Sequence, residues 1–278
     1  MRIAYDGGAF RGFQRQPGLP TVEAALLAAL RPLGLEPRLE VAARTDAGVH
    51  ALAQVVSFAA RSTVDPDDLR RAVNRGTPDA LLCLDAWETG PSFHARASAT
   101  ARTYLYLVGG PPPPSLAGRA WELPDARGFP DVPAREPDAA AMAEALAAAV
   151  GEHDFAGFAR PGEQRGTVRT LLRAEVERAA WAPLWAITLT GRGFLRAMAR
   201  NLVGTAVAAG LGTCPPSRVA EILRDRGRYR GVRAPAWGLT LAAVSYPPGL
   251  VPPQVDWASG PDAASPYLAS RSETASRR

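Results

Sequence analysis

The chain has 278 residues, is 47% hydrophobic and carries a formal net charge of +5. That is enough apolar material for a sizeable core in two domains or one divided domain, and the charge suggests a polyanionic partner. No lysine occurs, so all 32 basic residues are arginines: flat, forked donors suited to phosphates and stacked bases, whatever coding bias produced them.

Taken in chain order, residues 2–5 read as a strand and residues 21–31 as a helix opened by Thr21. Residues 38–43 and 54–60 read as two further strands. Asp65-Pro66-Asp67-Asp68 opens a second helix that Gly76 closes. Strands follow at 80–87 and 102–108. A Pro- and Gly-rich stretch, 109–136, reads as a long connection. Beyond it come a helix at 138–150, strands at 171–179 and 184–190, helices at 193–209 and 217–226, and a strand at 239–245. The order is β-α-β-β-α-β followed by β-α-β-β-α(α)-β. The expected fold class is therefore α+β: two split βαβ halves of the ferredoxin-like or RRM type, with antiparallel sheets side by side and a central catalytic cleft. The expected division is 1–101, 102–246 and a disordered tail, 247–278, poor in periodicity.

Several functional classes are unsupported. MRIAYDGGAF has no long apolar leader, and no apolar stretch is long enough to span a bilayer, so a cytoplasmic location is expected. Cys83 and Cys214 form neither a metal pattern nor a disulfide framework. His50, His94 and His153 lack ligand spacing, and there is no Gly-rich phosphate loop and no GxSxG elbow. A metal site is not expected.

Three stretches have the residues for chemistry. In ARTDAGVHALAQVVSF (43–58), Asp46 precedes Gly48. It reads either as a turn residue or as a carboxylate held ionised by Arg44, able to act as base or nucleophile. In FHARASATARTYLYLV (93–108), Arg96 and Arg102 bracket small residues, and Tyr104 and Tyr106 face one side of a strand, as core residues or with one ring stacking on a base. In GRGFLRAMARNLVGTAVAAG (191–210), Arg192, Arg196 and Arg200 fall at helical spacing as a basic stripe, either a solvated face or a bed for a polyanion. RDRGRYRGVR (224–233) adds five arginines.

The motifs go further. Tyr5-Asp6-Gly7, Phe10, Gly12-Phe13-Gln14 and Gln16 form one block. Arg44-Thr45-Asp46-Ala47-Gly48-Val49-His50-Ala51 forms a second, and Gln54-Val55-Val56 with Phe58 a third. Phe93 to Tyr106, His153-Asp154-Phe155 with Phe158, and Phe194 with Met198-Ala199-Arg200-Asn201 and Gly204 complete six blocks in order. With these the chain resembles the tRNA pseudouridine synthase A (TruA) family over nearly all of residues 1–246. The resemblance implies that Asp46 is the catalytic aspartate and that Tyr104 lies against the target base. It implies that Arg44 helps flip the nucleotide and pairs with the aspartate. It also implies a homodimer acting, without metal or organic cofactor, on uridines 38, 39 and 40 of the tRNA anticodon arm. Arg96, Arg102, Arg196 and Arg200 become candidates for RNA contacts.

The chain departs from the family pattern at Ala43, at Ala199, in Asn74-Arg75-Gly76-Thr77-Pro78 and in Gly238-Leu239-Thr240-Leu241. None of these touches Asp46, Tyr104 or Arg44. Two rivals stand beside this reading: a catalytically inactive tRNA-binding module, and a hydrolase with a carboxylate nucleophile.

Overall fold

A computed structural model describes residues 1–60, 64–123, 136–162, 166–180, 182–225 and 230–253. Its elements run β1 (Arg2–Tyr5), α1 (Val22–Leu30), β2 (Glu40–Val41), β3 (His50–Ser57), α2 (Pro66–Gly76), β4 (Leu81–Asp85), β5 (Ala101–Gly109), β6 (Trp121–Glu122), α3 (Ala139–Ala147), β7 (Gly151–Asp154), β8 (Val168–Arg178), β9 (Leu184–Gly191), α4 (Met198–Gly210), α5 (Arg218–Arg224) and β10 (Leu239–Ser245). The protein is α+β. It divides into two compact units, residues 1–100 with 240 onward, and residues 101–239.

In the first unit β1 lies between β4 and β3, antiparallel to both. The other edge of β3 is shared. Val41 of β2 sits opposite Val56, antiparallel, and Thr240 of β10 sits opposite His50, parallel. With neighbours on both edges the backbone of β3 is paired, and its residues are buried along most of its length. Thr21 caps α1 by accepting from the Ala24 N–H, and Asp65 caps α2 by accepting from Asp67 and Asp68. The two helices pack together. A Cβ on Gly76 would lie 2.9 Å from Ala29, so the glycine sets how closely they approach. Ile3, Val22, Leu26, Leu30, Val55 and Val73 fill the core.

In the second unit the sheet runs β5-β9-β8-β7, antiparallel throughout, with β6 parallel to β5. α3, capped by Asp138, packs on α4 and β8, and α5 packs on α4. Tyr106, Met142, Leu146, Leu184, Ile187, Leu202 and Val203 are fully buried.

Four expectations change. The expected strand at 38–43 shrinks to two residues, because the chain leaves β3 at Ala43 to form a loop. The expected helix at 193–209 starts only at Met198, because Ala197 takes a left-handed conformation, φ 67°, that an α-helix cannot contain. The closing strand, expected in a second half reaching 246, pairs with β3 and belongs to the first unit. Residues 247–253, expected to open the tail, are met at Pro252 and Pro253 by the Arg2 guanidinium, which donates to both carbonyls. The rest of the tail, 254–278, and Arg226 and Arg228 of the 224–233 cluster lie outside the described residues.

Candidate active site

The loop 43–49 joins β2 to β3, and glycines make room for it. A Cβ on Gly7 would fall 2.2 Å from the Val49 carbonyl oxygen. One on Gly12 would fall 3.1 Å from the Thr45 oxygen, and Gly12 itself has φ +93°. Only glycine fits where backbone meets backbone this closely. The Tyr5-Asp6-Gly7 and Gly12-Phe13 motifs are thus walls of the Asp46 loop. Phe13 N–H donates to the Thr45 carbonyl at 3.1 Å, tying one wall to the loop.

Beneath the loop lies a buried polar cluster. The Tyr5 hydroxyl is 2.8 Å from Thr45 Oγ1. Gln54, 0% exposed, accepts from the Ala43 N–H at 3.3 Å and donates to the Ala43 carbonyl at 2.6 Å, so its side chain serves Ala43 as a strand partner would. Gln54 Nε2 also reaches the Tyr5 oxygen at 3.4 Å. Burial pushes the Tyr5 phenol up to about 12, so it stays neutral and keeps its proton for hydrogen bonding.

Above this floor Thr45 is buried, while Arg44 is exposed and Asp46 half-buried. The Asp46 carbonyl accepts from the Val49 N–H at 3.1 Å and Gly48 takes φ +82°, so the residue sits in a tight turn. The turn and chemical readings of Asp46 are therefore compatible: the turn fixes the backbone of a residue that stays half-buried. Among the described residues no ion pair joins Arg44 to Asp46. An exposed guanidinium gains little from such a pair.

His50 follows the turn. Its Nδ1 accepts from the Gly7 N–H at 3.0 Å and lies 3.1 Å from Asp6 Oδ1. His94 accepts from the N–H groups of Arg96 and Ala97, and His153 bonds the Val150 carbonyl. Each histidine serves local structure. Among the described residues no group of three or more His, Cys, Asp or Glu could hold a metal ion.

The second unit contains the aromatic candidate. Tyr104 and Tyr106 share a face of β5, as their spacing predicts, but in different settings. Tyr106 is fully buried and donates to the Pro235 carbonyl at 2.9 Å. Its ring also accounts for Gly238, where a Cβ would lie 2.5 Å from it. Tyr104 is 7% exposed and meets Phe194 edge to face at 4.9 Å.

The basic stripe is not formed. Arg192 follows β9, Arg196 lies in the connecting loop, and only Arg200 is in α4. Arg200 Nε donates to the Ala234 carbonyl at 2.8 Å, and Ala234 N–H donates back to the Arg200 carbonyl. Arg102 is buried and donates to the Arg192 carbonyl at 2.8 Å. Arg96 and Arg196 are exposed. Reading the sequence alone assigned no role to Tyr5, Thr45 or Gln54. A glutamine buried within an apolar strand was the available signal.

A family model described as tRNA pseudouridine synthase matches residues 1–96 and 145–247. The chain belongs to the tRNA pseudouridine synthase family. It is 39% identical over 255 residues to a protein of Methylacidiphilum infernorum named tRNA pseudouridine synthase A, covering 89% of this chain and 95% of that one. Proteins of the same name from Thermus thermophilus and Neisseria gonorrhoeae are 40% and 38% identical, covering 87% and 92% of this chain and 94% and 96% of theirs. Among solved structures, a chain of a Cbf5-Nop10-Gar1 complex aligns with 76% of this chain and 45% of its own, at 13% identity and a TM-score of 0.30. That likeness is too slight to bear on the fold.

Proposed function

We propose that the protein is an isomerase converting uridine to pseudouridine in tRNA, with Asp46 as its nucleophile. Membership of the family supports the reaction. The observation that supports the assignment of Asp46 is the loop: its backbone is gripped between Gly7, Gly12 and the Tyr5–Gln54 floor, which fixes where the residue sits.

The reaction breaks the uracil N1–C1′ bond and joins C5 to the same sugar carbon. The base must detach, turn over and be recaptured with nothing added or lost. The carboxylate serves this by attacking C1′ or C6, or by taking a sugar proton to give a glycal. The target base must leave its stack, at a cost of a few kcal/mol. The exposed Arg44 fills the vacated space, and the Tyr104 ring lies against the base. The substrates are uridines 38, 39 and 40 of the anticodon arm. Arg96 and Arg196 are exposed and contact the phosphates of the bound tRNA. Arg102 and Arg200 act through the segments they hold. The working form is a cytoplasmic homodimer, each unit resting on a split βαβ scaffold. In the first unit the strand order β4-β1-β3-β2, antiparallel at each step, supports that scaffold.

The test uses unmodified tRNA tritiated at uridine C5. Wild type releases tritium to water. Asp46→Asn binds the tRNA and releases none. Release by Asp46→Asn at close to the wild-type rate would remove Asp46 from the chemistry, and a wild type that binds without release would be a binding module.

A further inference from the structure

We infer that Tyr5 and Gln54 are positioning residues for Asp46, acting through the loop backbone without touching substrate. The inference rests on Asp46 being the catalytic carboxylate. Gln54 Oε1 accepts from Ala43, which fixes the orientation of the side-chain amide. Its Nε2 then supplies both remaining bonds, to the Ala43 carbonyl and the Tyr5 oxygen. The phenol oxygen accepts from Gln54 and shares a hydrogen bond with Thr45 Oγ1 at 2.8 Å, in which either hydroxyl can donate. The chain of contacts is Gln54–Tyr5–Thr45, and Thr45 is the residue immediately before Asp46.

The residues flanking Arg44 are therefore held from below, at Ala43 by the glutamine and at Thr45 by the tyrosine, and Thr45 passes that restraint to Asp46 through the backbone. All three floor side chains are buried, with Tyr5 5%, Thr45 7% and Gln54 0% exposed. Water therefore does not compete for these bonds, and each rotamer is locked by its neighbours. Tyr5 is further set by an edge-to-face contact with Phe10 at 6.3 Å. Loops position side chains less well than strands do. This one borrows the rigidity of β1 through Tyr5 and of β3 through Gln54.

The test separates positioning from simple stability. Tyr5→Phe and Thr45→Val each remove one hydroxyl and keep the shape, Thr45→Ser keeps the hydroxyl, and Tyr5→Phe/Thr45→Val removes the same bond twice. The expected result is a kcat lowered about 10- to 100-fold in both single variants, with KM for tRNA changed less than about twofold. Thr45→Ser recovers most of the rate, and the double variant is no worse than the worse single one. A kcat near wild type in both single variants, a loss appearing only in KM, or effects that multiply in the double variant would overturn the inference.

Amide exchange of residues 43–46 poses the question without turnover. Tyr5→Phe and Thr45→Val should speed it while the amides of α1 and β3 hold, and Gln54→Met should speed it at Ala43. Unchanged exchange in all three overturns the inference. A wild type without tritium release would instead refute the proposed reaction, and exchange alone would then decide whether the floor holds the loop.

Discussion

Ala197 is the only non-glycine with positive φ among the described residues, and it stands directly before α4. A left-handed conformation costs an alanine about 1–2 kcal/mol, whereas a glycine gives up some chain entropy instead. Ala197→Gly should therefore raise stability by about 0.5–1 kcal/mol, read as a higher denaturant midpoint at unchanged slope. Tyr5 gives a pH signature. Its phenol is pushed up to about 12 in the fold and ionises near 10 when unfolded. Between those values only the unfolded chain releases the proton, so stability falls as pH rises through the window, by up to about 3 kcal/mol. Melting between pH 9 and pH 11 should show a fall that is shallower in Tyr5→Phe, the remainder coming from Cys83, which burial also pushes up. The thiols differ as well. Burial pushes Cys83 up to about 11 and leaves it 1% exposed, while Cys214 is half-buried. A thiol reagent near neutral pH should reach Cys214 first and Cys83 only on unfolding. At this scale the sequence was legible where residue type carries the meaning: Asp46 before Gly48, or Tyr104 with Tyr106 on one face. It was not legible where meaning depends on a distant backbone. Nothing local to Gly7 says that Val49 will press against it.

Helix α4 shows how elements override local preference. Gly204 sits inside it, and alanine there would gain about 1 kcal/mol of helix propensity. A Cβ at that position would lie 2.2 Å from the Val232 carbonyl oxygen and 2.7 Å from the Ala234 nitrogen, both backbone atoms. Gly204→Ala should therefore destabilise despite its propensity, by about 1–3 kcal/mol, and should loosen the 232–234 segment that Thr205 and Arg200 hold. Thermal melting with exchange at Val232 and Ala234 checks both parts. The same helix explains why the basic stripe misled. Spacing of four predicts a stripe only if the helix is continuous, and the turn at Ala197 breaks it between Arg196 and Arg200. The caps at Thr21 and Asp65 could be read because capping is a local signal. Strand β7 could not, since Gly151-Glu152-His153-Asp154 has no apolar alternation and owes its pairing to the backbone of β8.

Across the whole molecule, an all-arginine set of cations should make tRNA binding strongly dependent on ionic strength. Raising salt from about 50 to about 200 mM should weaken it about tenfold or more, with a linear log–log slope. A flat response would count against phosphate contacts as the main source of affinity. The order of elements was largely legible, because helices and strands alternate with clear caps and turns. The partner of the last strand was not, because period and composition say that β10 is a strand without saying which edge receives it. That pairing, Thr240 beside His50 and Leu241 beside Ala51, also bears on how the protein is made. The first unit is discontinuous, with the second inserted between its pieces. A growing chain will have produced all of residues 101–239 before β3 can acquire its last neighbour. The inserted unit is thus free to fold during synthesis, while the loop that carries Asp46 waits, beside an open strand edge, for the final stretch to arrive.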